Sequence, residues 1–126
     1  MPKATNNKID SALLSEIVVA GMQEVKAEDI VVIDLRGLKG AEADFFVICS
    51  VNSDPQADGV CDSIEEEVYK AIKLNPSLRE GRATKEWMIV DYFDVVAHVF
   101  KKNKREFFNL ERLWADGVIK TIENVA

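Results

Sequence analysis

Hydrophobic positions along this chain change their period several times, and each change marks an element. From Asn6 to Glu28 the apolar residues Leu14, Ile17 or Val18, Gly21 and Val25 recur at helical spacing, with Asp10 or Ser11 placed to cap the first turn. This predicts an amphipathic helix. Ile30 to Arg36 is apolar on both alternating faces apart from Asp34, the pattern of a strand covered on each side. Gly37 and Gly40 interrupt it, and Asp44 to Val51, nearly continuous in Phe, Val and Ile, predicts a second strand. Asp54 before Pro55 reads as a cap followed by proline at the first helical position. The helix it opens extends to about Leu74, with Ala57, Cys61, Ile64, Val68 and Ile72 inward. Asp58, Asp62 and Glu66 then share a wet outer face, and Lys70 stands one turn beyond Glu66 as its partner.

Asn75 to Lys85 contains Pro76 and Gly81 and reads as a loop. A hairpin follows. Trp87 to Asp91 is its first arm, Asp91, Tyr92, Phe93 and Asp94 make the turn, and from Val95 to Phe100 the alternation sets Val95, Ala97 and Val99 against Val96, His98 and Phe100. Past Lys101, Lys102, Lys104 and Arg105 the period becomes helical, and Phe107, Leu110 and Trp114 form a stripe with Phe108 and Leu113 beside it. The stripe assigns Phe107 and Trp114 to the core and leaves Trp87 open between core and surface. Val118 to Ala126 shows no clear pattern. The order α-β-β-α-β-β-α, without repeat or linker, predicts a mixed β-sheet flanked by helices, as one domain over residues 1–126 with an ordered core of about 9–117.

Composition narrows the class. At 126 residues one core suffices, and 48% hydrophobic with 30% charged residues is ordinary for a globular chain. No apolar run approaches the roughly 20 residues of a membrane span, and MPKATNN lacks the features of a secretory or transit sequence, so the expected compartment is the cytoplasm. Cys49 and Cys61, twelve apart, read as two buried thiols. A net charge of -6 argues against coating nucleic acid, which requires a cationic face. The cations from Lys101 to Arg105 read as a solvated turn. His98 is the only histidine, which excludes a two-His metal site, and its place in the alternation predicts a half-buried imidazole bonded to a neighbour. RGLKG has no following Lys-Ser or Lys-Thr and makes no phosphate loop. What remains is a patch for another protein, with Trp87, Tyr92, Phe93, Phe108 and Trp114 as candidates and Asp91, Asp94 and Glu111 as an acidic rim.

The stretch EWMIVDYFDVVAHVFKKNKREFFNLERLWADG, together with AEDIVVIDLRGL and ADFFVICSVNS, resembles the ribosomal silencing factor family, also called RsfS or Iojap. The resemblance covers roughly residues 9–117. It implies a mixed α/β domain related to the nucleotidyltransferase fold, and that relation makes a nucleotide-handling enzyme the alternative reading. Two-metal nucleotidyl transfer needs carboxylates converging from one strand face and a Gly-Ser turn for the phosphates. The chain has Val51, Asn52 and Ser53 where such a turn would stand, and the spacing of Asp91 and Asp94 does not force them together. No catalytic residue, cofactor or metal is therefore expected; a divalent ion held by Asp34, Asp91 and Asp94 would overturn that. The resemblance further implies binding to protein fourteen of the large ribosomal subunit, on the face where the small subunit docks, which blocks subunit joining and lowers translation. By position its contact residues are Trp87, Asp91 and Phe108, the last in place of a usual tyrosine. Val51, Asp54 to Gln56 and Phe93 also depart from the family's usual residues. Homodimerisation in the free state is compatible with the family and with apolar surface on the hairpin.

Overall fold

The computed structural model of the chain describes residues 10–125. Its elements are α1 (Ser11–Glu24), β1 (Glu28–Asp34), β2 (Phe45–Val51), α2 (Asp54–Ile72), β3 (Leu78–Glu80), β4 (Trp87–Asp91), β5 (Val95–Lys101), α3 (Lys102–Phe108), α4 (Leu110–Leu113) and β6 (Val118–Thr121). The strands form one sheet in the order β3-β4-β5-β2-β1-β6. Only β2 and β5 are parallel, in register from Phe45 with Val95 to Val51 with Lys101; the other neighbours are antiparallel. A parallel pair needs a long crossover, and α2 provides it. The expected mixed sheet flanked by helices is present.

One sheet face lies under α1 and α2. Val47, Cys49 and Val51 of β2, Met88 and Val90 of β4, and Val95, Ala97 and Val99 of β5 meet Leu14, Val18 and Met22 of α1 and Val60, Cys61 and Ile64 of α2. The two helices approach so closely at Gly21 that a Cβ there would stand 2.8 Å from the Ile64 Cα. That is the reason for a glycine in mid-helix. The opposite face carries a smaller cluster of Val31, Ile33, Leu35, Ile48, Phe100 and Leu110, roofed in part by α3 and α4. No helix among the described residues is long and apolar enough to cross a membrane.

Several boundaries differ from the sequence expectation, each for a local reason. The expected start of α1 at Asn6 lies outside the described residues; Asp10 is the cap, accepting the Ala12 N–H at 3.0 Å. The helix stops at Glu24 because Lys26 turns left-handed (φ 58) and the amides of Lys26 and Ala27 reach back to Gln23 and Met22. α2 is capped by Ser53, not Asp54: the Ser53 hydroxyl accepts from the Gln56 amide while the Gln56 side chain accepts from Asn52 N–H and donates to the Val25 carbonyl. Asp54 instead pairs with Lys101 at 2.6 Å.

Two strands were not expected. β3 lies within the segment read as a loop, where Arg79 turns under the sheet to Asp62 at 2.8 Å and Glu65 at 3.0 Å of α2. The acidic ladder is thus partly a seat for β3, which Lys85 reinforces by pairing with Asp58, and Lys70 pairs with Glu67 instead of Glu66. β6 lies in the segment without a pattern and pairs with β1 from Asp34–Val118 to Val31–Thr121.

Candidate functional site

The outer face of the hairpin is a line of side chains set by the pleat. Trp87, Ile89 and Asp91 alternate with the buried Met88 and Val90, so they share the face that α1 and α2 do not cover. Cross-strand register places Trp87 opposite Phe100, Ile89 opposite His98 and Asp91 opposite Val96.

Trp87 is the centre of an aromatic group. Its indole stacks on Phe100 with centroids 5.1 Å apart and meets Phe108 of α3 at 4.9 Å. Its Nε1–H donates to His98 Nδ1 at 3.0 Å. Indole is a donor only, so Nδ1 is bare and the imidazole proton sits on Nε2. That nitrogen is enclosed, without a hydrogen-bond partner among the described residues, and the ring makes an edge contact with Phe46 at 4.6 Å. His98 is bonded to a neighbour as expected, yet fully buried rather than half-buried.

Burial pushes the His98 pKa down to about 3, from an ordinary value of 6.5. Between those values the unfolded chain binds a proton that the folded chain refuses, so stability rises with pH and is lost as pH falls below about 6.5. The expected loss is about 1.4 kcal/mol per pH unit through pH 5, above the range where carboxylates titrate. Urea unfolding at pH 7, 6 and 5 measures it. His98→Asn keeps an acceptor near the Nδ1 position without titrating, and its slope should be close to flat; equal slopes in the two proteins would contradict the assignment.

Phe108 reaches Trp87 from the end of α3, and the last helix is broken just beyond it. The stripe predicted a single helix, but Asn109 turns left-handed (φ 47), which asparagine tolerates, and separates α3 from α4. The fold-back brings Arg105 to Glu111, whose carboxylate accepts from Arg105 Nε at 3.3 Å and Nη2 at 2.9 Å. Six residues apart, these two would diverge on a continuous helix. Arg105 Nη1 also donates to Ser50 Oγ at 2.9 Å and to the Asp29 carbonyl, tying the break to β1 and β2. The expected solvated basic turn is corrected accordingly: Arg105 is internal, Lys101 pairs with Asp54, Lys102 with Glu28, and Lys104 lies over the Phe107 ring.

The break also redistributes the stripe. Leu110 is buried and Trp114 meets Phe46 edge-on, but Phe107, expected in the core, is 75% exposed, and Leu113 is 74% exposed. Phe108 stands between, 37% exposed. Trp87, Phe108 and Phe107, linked ring to ring, therefore offer apolar surface on the outer side. Asp91 lies on the same face but roughly 13 Å along the strand from Trp87, its carboxylate accepting the Phe93 N–H at 2.7 Å. Of the three expected contact residues, two form one platform and the third marks its far end. Tyr92 is core, while Phe93 projects from the turn, 74% exposed.

The carboxylates required by the alternative enzyme reading do not converge. Asp34 pairs in register with Phe45 on the helix-covered side and is forked by Arg36 at 3.0 and 2.8 Å, whose hydrogen bonds hold its pKa below the usual range; Asp91 faces the other way. Among the described residues no group of three His, Cys, Asp or Glu is placed to hold a metal ion. Val51, where a phosphate turn would begin, is fully buried. Cys49 and Cys61 are buried free thiols, both raised in pKa by burial, Cys61 to about 12.

Comparison with known proteins agrees with this architecture. The sequence model of a family described as "Ribosomal silencing factor during starvation" matches residues 8–126. A Bacillus subtilis protein named ribosomal silencing factor RsfS is 34% identical over 108 residues, 86% of this chain and 90% of its own length. A crystal structure from Bacillus halodurans is 31% identical with a TM-score of 0.72, covering 90% of this chain and 99% of that one. A second, from Chromobacterium violaceum, shares the fold at a TM-score of 0.79 and 23% identity, covering 85% and 88% of the two chains.

Proposed function

Since this chain belongs to the ribosomal silencing factor family, we propose that it represses translation by occupying the large ribosomal subunit. It docks through the aromatic platform of Trp87 and Phe108, with Asp91 at the far end of β4, on protein fourteen of that subunit. The observation that carries this reading is the platform itself: a half-buried tryptophan whose polar atom is already bonded inward, in ring contact with Phe108, which in turn meets the exposed Phe107. Such a surface gains by covering apolar area and lacks any group aimed at a substrate. Repression is steric. A body of 14.1 kDa bound where the small subunit must approach keeps the subunits apart, with no bond made or broken.

Contact runs through protein and not nucleic acid, in line with the net charge of -6 and with the internal pairing of Lys101, Lys102 and Arg105. The chain acts in the cytoplasm as one domain without a cofactor, and its free form pairs with a second copy through the same apolar hairpin face. Sedimentation tests the docking. The chain should co-migrate with isolated large subunits and not with small ones, and less so at high salt; failure to co-migrate with large subunits would overturn the proposal.

A further inference from the structure

Beyond Ile89, at the end of the outer face away from Trp87, the sheet opens into a groove of about 490 Å³. Its lining includes Phe46 and Ile89 and three carboxylates, Glu42, Glu80 and Asp91, with no lysine or arginine among the described lining residues. Phe93 stands at this groove from the tip of the hairpin.

Phe93 is anomalous on two counts. Its backbone is left-handed (φ 69), a region that costs a bulky L-residue free energy and suits glycine or asparagine. Its ring is nevertheless 74% exposed, so burial does not offset that cost. The conformation is fixed: Asp91 Oδ1 accepts the Phe93 amide and the Asp94 amide closes on the Tyr92 carbonyl at 2.9 Å. An exposed aromatic carried by a fixed turn at the mouth of a groove with an acidic lining suits a long cationic side chain, whose stem packs on the ring while its charge meets the carboxylates.

We propose that Phe93 is a specificity anchor for a basic protein segment, holding a lysine or arginine of the partner in the groove against Glu42, Glu80 and Asp91. This rests on the proposed docking to a protein of the large ribosomal subunit and adds a contact outside the Trp87–Phe108 platform. A strained turn that serves a partner makes stability and affinity move in opposite directions on substitution. A residue with a purely structural role does not.

Phe93→Gly is expected to raise the melting temperature by roughly 2–5 °C while weakening binding to isolated large subunits about 10-fold. Phe93→Asn, which also tolerates the left-handed backbone, should weaken binding similarly. Glu42→Gln combined with Glu80→Gln should flatten the salt dependence of binding. Affinity unchanged in both Phe93 variants overturns the anchor and leaves the Trp87 platform standing; an unchanged salt slope overturns the cationic occupant. If the unaltered chain binds no large subunits, both readings fall together.

Discussion

Trp87→Ala is expected to weaken association with large ribosomal subunits by roughly 100-fold or more, the largest binding effect of any single change on this surface. The substitution removes the ring on which Phe108 leans and which itself stacks on Phe100. It also strips His98 Nδ1 of its donor inside a closed environment, so stability should fall by about 2–3 kcal/mol. The core on the α1–α2 side does not involve Trp87, and the sheet should persist. Trp87→Phe separates the two contributions: it keeps the stack, loses the N–H, and should bind with intermediate affinity. Co-sedimentation and thermal melts on the same samples measure both. Full binding by a folded Trp87→Ala protein would remove the platform from the interface.

Arg105→Ala should destabilise the fold by about 2–4 kcal/mol. Its guanidinium joins Glu111, Ser50 and the Asp29 carbonyl while the side chain is only 12% exposed, so truncation strands Glu111 and the buried Ser50 together. Glu111 is partly solvated, which keeps the cost below that of a fully closed pair. Arg105→Lys should recover less than half of the loss, because an ammonium has one nitrogen where the guanidinium uses three, two on the Glu111 carboxylate and one on Ser50 and the Asp29 carbonyl. Urea unfolding reads the stability, and amide exchange across residues 102–113 reads the release of α3 and α4. Exchange in that segment equal to the unaltered chain would show that Arg105 is not what holds the break in place.

These two residues illustrate what pattern reading reaches. The hairpin was legible because Trp87 to Asp91 is an apolar run with β-branched Ile89 and Val90 and Val95 to Phe100 alternates between two faces, and the face assignments of Val95, Ala97 and Val99 against Val96, His98 and Phe100 agree with the structure. The helix-covered strands were legible from their apolar runs. β3 was not, since three residues carry no period and its anchor, Arg79, finds its partners on α2, seventeen and fourteen residues back. β6 was silent for a different reason: all four of its residues are exposed, and it is held by backbone pairing with β1.

The site was partly readable for the same reasons. Position within a familiar motif singled out Trp87, Asp91 and Phe108 as contact candidates, but the stripe of Phe107, Leu110 and Trp114 conceals the helix break at Asn109 just beyond them. The stripe sent Phe107 into the core, and reading the cations as a solvated turn left Arg105 in solvent; Phe107 is instead exposed and Arg105 pairs with Glu111 across the break. A usable signal existed: an asparagine between Phe108 and Leu110 can end a helix in the left-handed region. Phe93 was legible as a turn aromatic and a patch candidate, but its positive φ was not, because its backbone follows from the Asp91 side chain closing the turn.

Light scattering during subunit joining tests the central claim most directly. Purified large subunits incubated with an excess of this protein should fail to join small subunits, with a dose dependence that follows large-subunit occupancy and is relieved by Trp87→Ala. Joining at the normal rate and extent while the protein is demonstrably bound would contradict steric repression.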